Sequence, residues 1–250
     1  MLSDPSFYIV SVPAVLLYGI AKGGFGGAIA ILAVPLMSFV MPPTRAAAIL
    51  LPILVLMDFV VVYSYRSDFD KTALKLLLPG GLIGVAAGWI FADAMNEALT
   101  RVFVGSVAIV FGLQFLFALR STQSSVHSAG FATLFGTMAG FTSFSIHAGG
   151  PPFAMYLMPK RLPPVVYAGT AGIFFLVVNL AKLPAYYALD LFARENLVLA
   201  LVLMPIAPLG VLFGRFLVRR SPAGVYYRVI SIFLVLVGAK LLYDGVIGLP

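Results

Sequence analysis

The residues of this sequence that could do chemistry are the few polar and charged side chains set inside long apolar stretches. Lys22 interrupts the apolar stretch 7–41, Asp58 lies within 44–65, and Asn179 and Lys182 lie within 164–186. An ionisable group in such a setting is expensive and is a functional candidate by default. The Lys22 ammonium would pair with a negative charge on a ligand; otherwise it ends a span and snorkels to the water interface. Asp58 is the one acid inside a span. It would carry a coupling proton, or pair with Lys22 or Lys182 while the site is empty. A carboxylate repels an anionic cargo, so coupling or gating suits Asp58 better than direct contact. Asn179 both donates and accepts, and Lys182, three residues on, shares its helix face. Lys182 falls near the outer end of its stretch, where interface anchoring is the plain alternative.

Two glycine-rich interruptions carry the other candidates. The first is Lys22-Gly23-Gly24-Phe25-Gly26-Gly27, inside 7–41. The second, 142–152, holds Thr142, Ser143, Ser145, His147, Gly149 and Gly150 inside 129–158. A helix that starts within the membrane leaves its first N–H groups unpaired and carries partial positive charge there. An anion satisfies both, and glycine lets the backbone come close to it. The stretches after Gly26-Gly27 and after Gly149-Gly150 would each supply such an end. Two opposed ends would surround an anion that bears three oxygens. Thr142, Ser143 and Ser145 would add hydroxyl donors, or else bond within their own helix. His147 would donate to the anion or carry a coupling proton, or else rest as a neutral, hydrogen-bonded core histidine. His127 lies in the polar loop 121–128 and reads as solvated.

The elements that must position these groups follow from composition. Of 250 residues, 62% are hydrophobic and 10% charged, against about 25% charged in a soluble domain. So few charges cannot cover a water-facing surface, and lipid must be the solvent for most side chains. There is no cysteine, which excludes disulfides and thiolate metal sites, and no metal-ligand spacing appears. No positively charged region precedes the first apolar run, so no removable signal peptide is expected. A crossing helix needs roughly 20 apolar residues, and 44–65, 72–93, 98–119, 164–186, 195–217 and 223–243 all qualify. The stretches 7–41 and 129–158 are too long for one crossing and are broken. Each is either two short spans or a re-entrant hairpin. Irregular backbone at membrane depth must face protein or a cavity, so the breaks belong in the interior. Gly80, Gly84 and Gly88, with Gly210 and Gly214, form small-residue stripes that read as helix packing.

The net charge of +7 reads as basic loops that hold orientation, not as a nucleic-acid surface. One face collects Arg66, Lys71, Lys75, Arg120, Lys160, Arg161, Arg215, Arg219 and Arg220. That face should be cytoplasmic, with both termini outside a bacterial inner membrane. The two halves also resemble each other weakly. Gly24-Phe25 and Pro35 match Gly140-Phe141 and Pro151, and Pro43 and Asp58 match Pro164 and Asn179. The expected fold is an all-α polytopic membrane bundle of two repeats, 1–120 and 129–250, joined by a cytoplasmic linker, 121–128. Each repeat holds a broken segment and three crossing helices. That odd number of crossings inverts the second repeat, and such repeats place substrate near the midplane at their interface.

Gly23-Gly24-Phe25-Gly26-Gly27 with Val34-Pro35-Leu36 resembles the first-half motif of the sulfite exporter TauE/SafE family. His147-Ala148-Gly149-Gly150-Pro151-Pro152 is similar to its second-half motif. Thr142-Ser143-Phe144-Ser145 departs from the family by standing where glycine is commoner. The resemblance spans about residues 10 to 243. It implies secondary transport of sulfite, a sulfonate or a related sulfur-containing or organic anion, with no cofactor. Coupling to protons or sodium, and a homodimeric state, are left open. An anion channel is the first rival. An intramembrane enzyme is the second, and it lacks a nucleophile paired with a base or a ligand cluster.

Overall fold

The computed structural model describes residues 4–26, 33–37, 39–92, 97–117 and 128–248, and every element among them is helical. In chain order these are α1 (Pro5–Phe25), α2 (Ala33–Met37), α3 (Pro43–Ser64), α4 (Lys71–Ile90), α5 (Glu97–Phe117) and α6 (Ala129–Ile146). They continue with α7 (Gly150–Leu157), α8 (Pro164–Ala188), α9 (Arg194–Leu203), α10 (Ala207–Arg220) and α11 (Ala223–Ile247). Among the described residues, six helices are long and apolar enough to cross a membrane: α1, Thr44–Ser64 of α3, α4, α8, the run Arg194–Arg220, and α11. The chain is a multi-pass membrane helix bundle. Five of the six expected spans have counterparts in this set, while the sixth, 98–119, corresponds to α5 and α1 comes from the stretch 7–41; each expected span matches one unbroken helix to within a few residues. The exception is 195–217, which divides into α9 and α10 at a short 3₁₀ turn, Met204–Ile206. Pro205 lies in that turn and has no N–H to continue the α-helical ladder.

Local sequence sets the helix starts. Asp4 accepts the N–H of Ser6 at 3.0 Å, Asp70 that of Ala73 at 3.0 Å, and Ser128 that of Phe131 at 3.2 Å. Each is an N-cap satisfying an otherwise orphan donor. Helices α3 and α8 both open on a proline pair, Pro42-Pro43 and Pro163-Pro164, where the missing N–H and fixed φ suit a first turn.

Lipid is as apolar as the side chains, so helices here associate through close packing. On α1, a Cβ at Gly23 would overlap the Val211 carbonyl, and one at Gly214 of α10 the Ile20 carbonyl. Gly19 abuts Gly210, and Gly24 abuts Gly214, so α1 and α10 run parallel. Helices α4 and α6 form a like seam: Gly80 lies against Thr133, Gly84 against Thr137 and Gly88 against Phe144, again parallel. Helices α5 and α11 run antiparallel, with Gly105 on Gly238 and Gly245 on Ala98. Helices α3 and α8 are also antiparallel: Gly172 meets Val61, and Asn179 meets Asp58.

Each broken segment begins with a long helix. Helix α1 continues through Lys22–Phe25 and ends at Gly26, whose φ of 59° is left-handed and whose N–H bonds the Ala21 carbonyl. Glycine adopts that conformation without penalty. Helix α6 likewise continues through Thr142, Ser143 and Ser145 and ends at His147, with φ of 53° and its N–H on the Thr142 carbonyl. Among the described residues, each segment holds a long helix followed by a short one, α2 or α7. The second break falls at 147–149, later than the interruption expected to begin at 142. Gly24-Phe25 close α1, whereas Gly140-Phe141 lie inside α6, so their sequence match is not one of position. The linker residues 121–127 lie outside the described residues.

Candidate functional site

The last turns of α1 and α6 converge on the middle of α3 and α8. Lys22, in the last turn of α1, points at Asp58 of α3, and their side chains are 5% and 1% exposed. The Lys22 ammonium forms an ion pair with Asp58 Oδ1 and lies 3.4 Å from the Leu54 carbonyl. The second Asp58 oxygen accepts from Asn179 Nδ2 at 2.6 Å. One carboxylate therefore ties α1, α3 and α8 together.

A second polar group sits beside the first. Lys182 is fully buried and donates to the Ser143 carbonyl at 2.7 Å. Its ammonium is also 3.1 Å from His147 Nδ1. His147 Nε2 lies 3.2 Å from the Ala47 carbonyl. An ammonium has only donors and a carbonyl only accepts. The network therefore assigns His147 the neutral tautomer, with Nδ1 accepting from Lys182 and Nε2–H donating to Ala47. Interface anchoring does not describe Lys182, which no water interface reaches.

Between the two groups lies a small cavity of about 10 Å³, lined by Tyr18, Lys22, Ser143, His147, Gly149, Gly150, Phe175 and Asn179. That is room for about one water molecule. Elements from both halves of the chain contribute. The Tyr18 and Phe175 rings lie 5.9 Å and 6.0 Å from the Lys22 ammonium. Gly149 caps α7 and Gly150 opens it, so the positive end of that helix faces the cavity. Pro151 and Pro152 follow and bring no N–H.

Six residues singled out from sequence thus line one cavity: Lys22, Ser143, His147, Gly149, Gly150 and Asn179. Lys182 and Asp58 stand directly behind it. The remaining candidates are occupied elsewhere. Gly23 and Gly24 pack on α10, and their carbonyls accept from Tyr65 Oη at 2.6 Å and Tyr226 Oη at 2.9 Å. Phe25 stacks on Tyr226, with centroids 5.8 Å apart. Gly26 is a helix cap with the Tyr167 ring where its side chain would be. In this structure these four pack against neighbouring helices or cap α1. The Thr142 hydroxyl lies 2.8 Å from the Met138 carbonyl and 3.0 Å from that of Ala148, bracing the end of α6. The Ser145 hydroxyl bonds the Phe141 carbonyl at 2.8 Å. Gly27, and with it the helix end expected after it, lies outside the described residues.

Sequence reasoning missed Tyr18 and Phe175. Tyr18 is four residues before Lys22 and Phe175 four before Asn179. That spacing puts each on the same helix face as its partner and could have found them.

No curated protein and no solved structure matches the chain. A family model described as sulfite exporter TauE/SafE matches residues 11–241, nearly the whole length. With a multi-pass helical bundle and that match, the chain belongs to the TauE/SafE family of sulfite exporters, which are membrane transporters.

Proposed function

We propose that this chain is a secondary carrier for a small oxyanion, sulfite or a sulfonate, which it binds at the cavity between α1, α6, α7 and α8. The observation that carries the reading is an imbalance of buried charge. Two lysines and one carboxylate meet around the cavity, so an anion would supply the negative charge that is missing. Lys22 would take the anion charge. Ser143, Asn179 and the α7 N-terminus would donate to its oxygens. The cavity holds only about one water, so loading requires the walls to part. An anion that draws Lys22 away leaves Asp58 without its cation. A proton or a sodium ion would then restore balance, and that exchange is the coupling step in this reading.

The two halves supply the machinery as an inverted repeat. A single constant offset relates Pro43 to Pro164, Asp58 to Asn179, and Tyr65 to Tyr186. The tyrosines support this most specifically. Tyr65 donates to the Gly23 carbonyl and Tyr186 to the Phe144 carbonyl at 3.3 Å, each in the last turn of the long helix of a broken segment. Each ties the end of α3 or α8 to the end of α1 or α6. Related helices run oppositely, α3 against α8 and α5 against α11, as a two-fold axis in the membrane plane requires. The positive-inside rule puts the Arg66 end of α3 in the cytoplasm and both termini outside.

Counterflow of radiolabelled sulfite in proteoliposomes tests the function. The carrier reading expects saturable exchange that Lys22→Gln removes while the protein stays folded. Flux that neither saturates nor supports counterflow would indicate a channel, and unaltered exchange by Lys22→Gln would remove the central site.

A further inference from the structure

A second cavity, of about 310 Å³, opens where α3 and α10 end. Ser64, Arg66, Ser67, Asp68, Arg215 and Arg219 line it. Three guanidinium groups thus face one carboxylate. Among the described residues none of the three arginines is held in an ion pair. Arg215 Nε is buried there without a hydrogen-bond partner among the described residues. Arg66 rests over the Tyr63 ring, 5.6 Å from its centroid, which fixes its plane. Arginine is the side chain best suited to oxyanions, because its planar fork donates to two oxygens at once.

The place of this cavity matters as much as its charge. Ser64 and Arg66 flank Tyr65, and the Tyr65 hydroxyl bonds the carbonyl of Gly23, the residue after Lys22. Tyr65 therefore links the wall of the arginine cavity to the last turn of α1, which carries Lys22. The other side is different. The corresponding tyrosine, Tyr186, is flanked by Ala185 and Tyr187, which carry no charge.

We propose that the arginine cavity is a loading vestibule that binds the transported oxyanion at one face of the membrane only and holds it outside Tyr65. The proposal rests on the carrier reading above. Its chemistry suits any oxyanion with several free oxygens, which the cargo and a lipid phosphate both possess. Adjacency to Tyr65 favours the cargo, and the test separates the two. A cleft with a net positive lining focuses the field and raises local anion concentration by about tenfold. The gain is lost as salt shortens the screening length.

The test uses the full-length protein in oriented phosphatidylcholine vesicles, with radiolabelled sulfite presented to one face at a time. At low salt, R66Q/R215Q/R219Q should raise half-saturating sulfite about tenfold at the arginine face and leave the opposite face unchanged. In high salt the wild-type value at that face should rise toward that of the variant. R219Q alone, at an exposed position, provides a folding-tolerant second variant with a smaller shift of the same sidedness. Equal values from both faces in wild type and variants would overturn the vestibule while leaving the carrier intact. An arginine effect seen only when phosphatidylglycerol is added would assign the site to a lipid headgroup and overturn it too. If wild-type vesicles move no sulfite from either face, the carrier reading falls and takes the vestibule with it.

Discussion

Replacing Asp58 with asparagine should strand a charge in the centre of the protein. The change keeps the shape and the contact with Asn179 but removes the carboxylate that holds the Lys22 ammonium. Both side chains are buried, at 5% and 1% exposure. Removing one partner of a buried ion pair costs about 3–5 kcal/mol, because the other charge stays desolvated and unpaired. Lys22→Gln should cost a similar amount for the mirrored reason. The double variant places two neutral amides face to face, able to bond each other. Its net loss should be within about 1 kcal/mol of wild type. The double variant should therefore be more stable than either single one, with a coupling of at least about 5 kcal/mol. Equilibrium unfolding of the purified protein in mixed micelles reads all four corners of the cycle. Sulfite supplies a further arm. Binding stabilises a folded state by mass action, and Asp58→Asn leaves Lys22 free for the anion. Sulfite should therefore stabilise that variant more than wild type, and the double variant least. Additive single costs would show that the pair does not hold the site together. Equal stabilisation of all four proteins would place the anion elsewhere.

Two further outcomes follow from the packing and the hydroxyl network. Gly23→Ala and Gly84→Ala each push a methyl into a facing backbone carbonyl, Val211 and Thr137, so each should destabilise by about 3 kcal/mol, the upper range for overpacking. Gly224→Ala meets nothing within 4 Å and should gain about 0.5–1 kcal/mol from reduced chain entropy; thermal unfolding in detergent ranks the three. Ser143→Ala should raise half-saturating sulfite severalfold, since Ser143 lines the cavity. Ser145→Ala should leave transport kinetics unchanged, because that hydroxyl bonds the Phe141 carbonyl.

Hydropathy and length made the crossing helices legible, because spanning a bilayer imposes a strict minimum on apolar length. Lys22, Asp58, Asn179 and Lys182 stood out for the same reason, being polar where polarity is costly. Their pairing was not legible. Nothing local distinguishes Lys22 from Lys182 as the partner of Asp58; the convergence of α1, α3 and α8 decides it. The glycines Gly23, Gly24 and Gly26 also have a packing reading. Glycine next to lysine reads as ligand approach, yet Gly19 and Gly23 carry the same four-residue spacing as Gly210 and Gly214. That is a packing stripe, and the two stripes close on each other. Helix ends were blurred because left-handed caps are a backbone property. Gly26 announces one, but His147 does not.

The surplus of one buried positive charge also has an electrical meaning. With both lysines protonated and Asp58 ionised, the empty site carries +1, and a doubly charged sulfite turns it to −1. Each elementary charge moved through a full membrane potential is worth about 2.3 kcal/mol per 100 mV. In a cell that is negative inside, the loaded carrier is driven outward and the empty one is drawn back. Without a co-bound cation both strokes then run downhill toward efflux, whereas a proton or sodium ion taken up at Asp58 cancels the charge of the loaded form and leaves the field acting on the return stroke. A singly charged bisulfite would neutralise the loaded form, leaving only the return stroke to feel the field, so the charge state of the cargo would set how steeply its expulsion depends on membrane voltage.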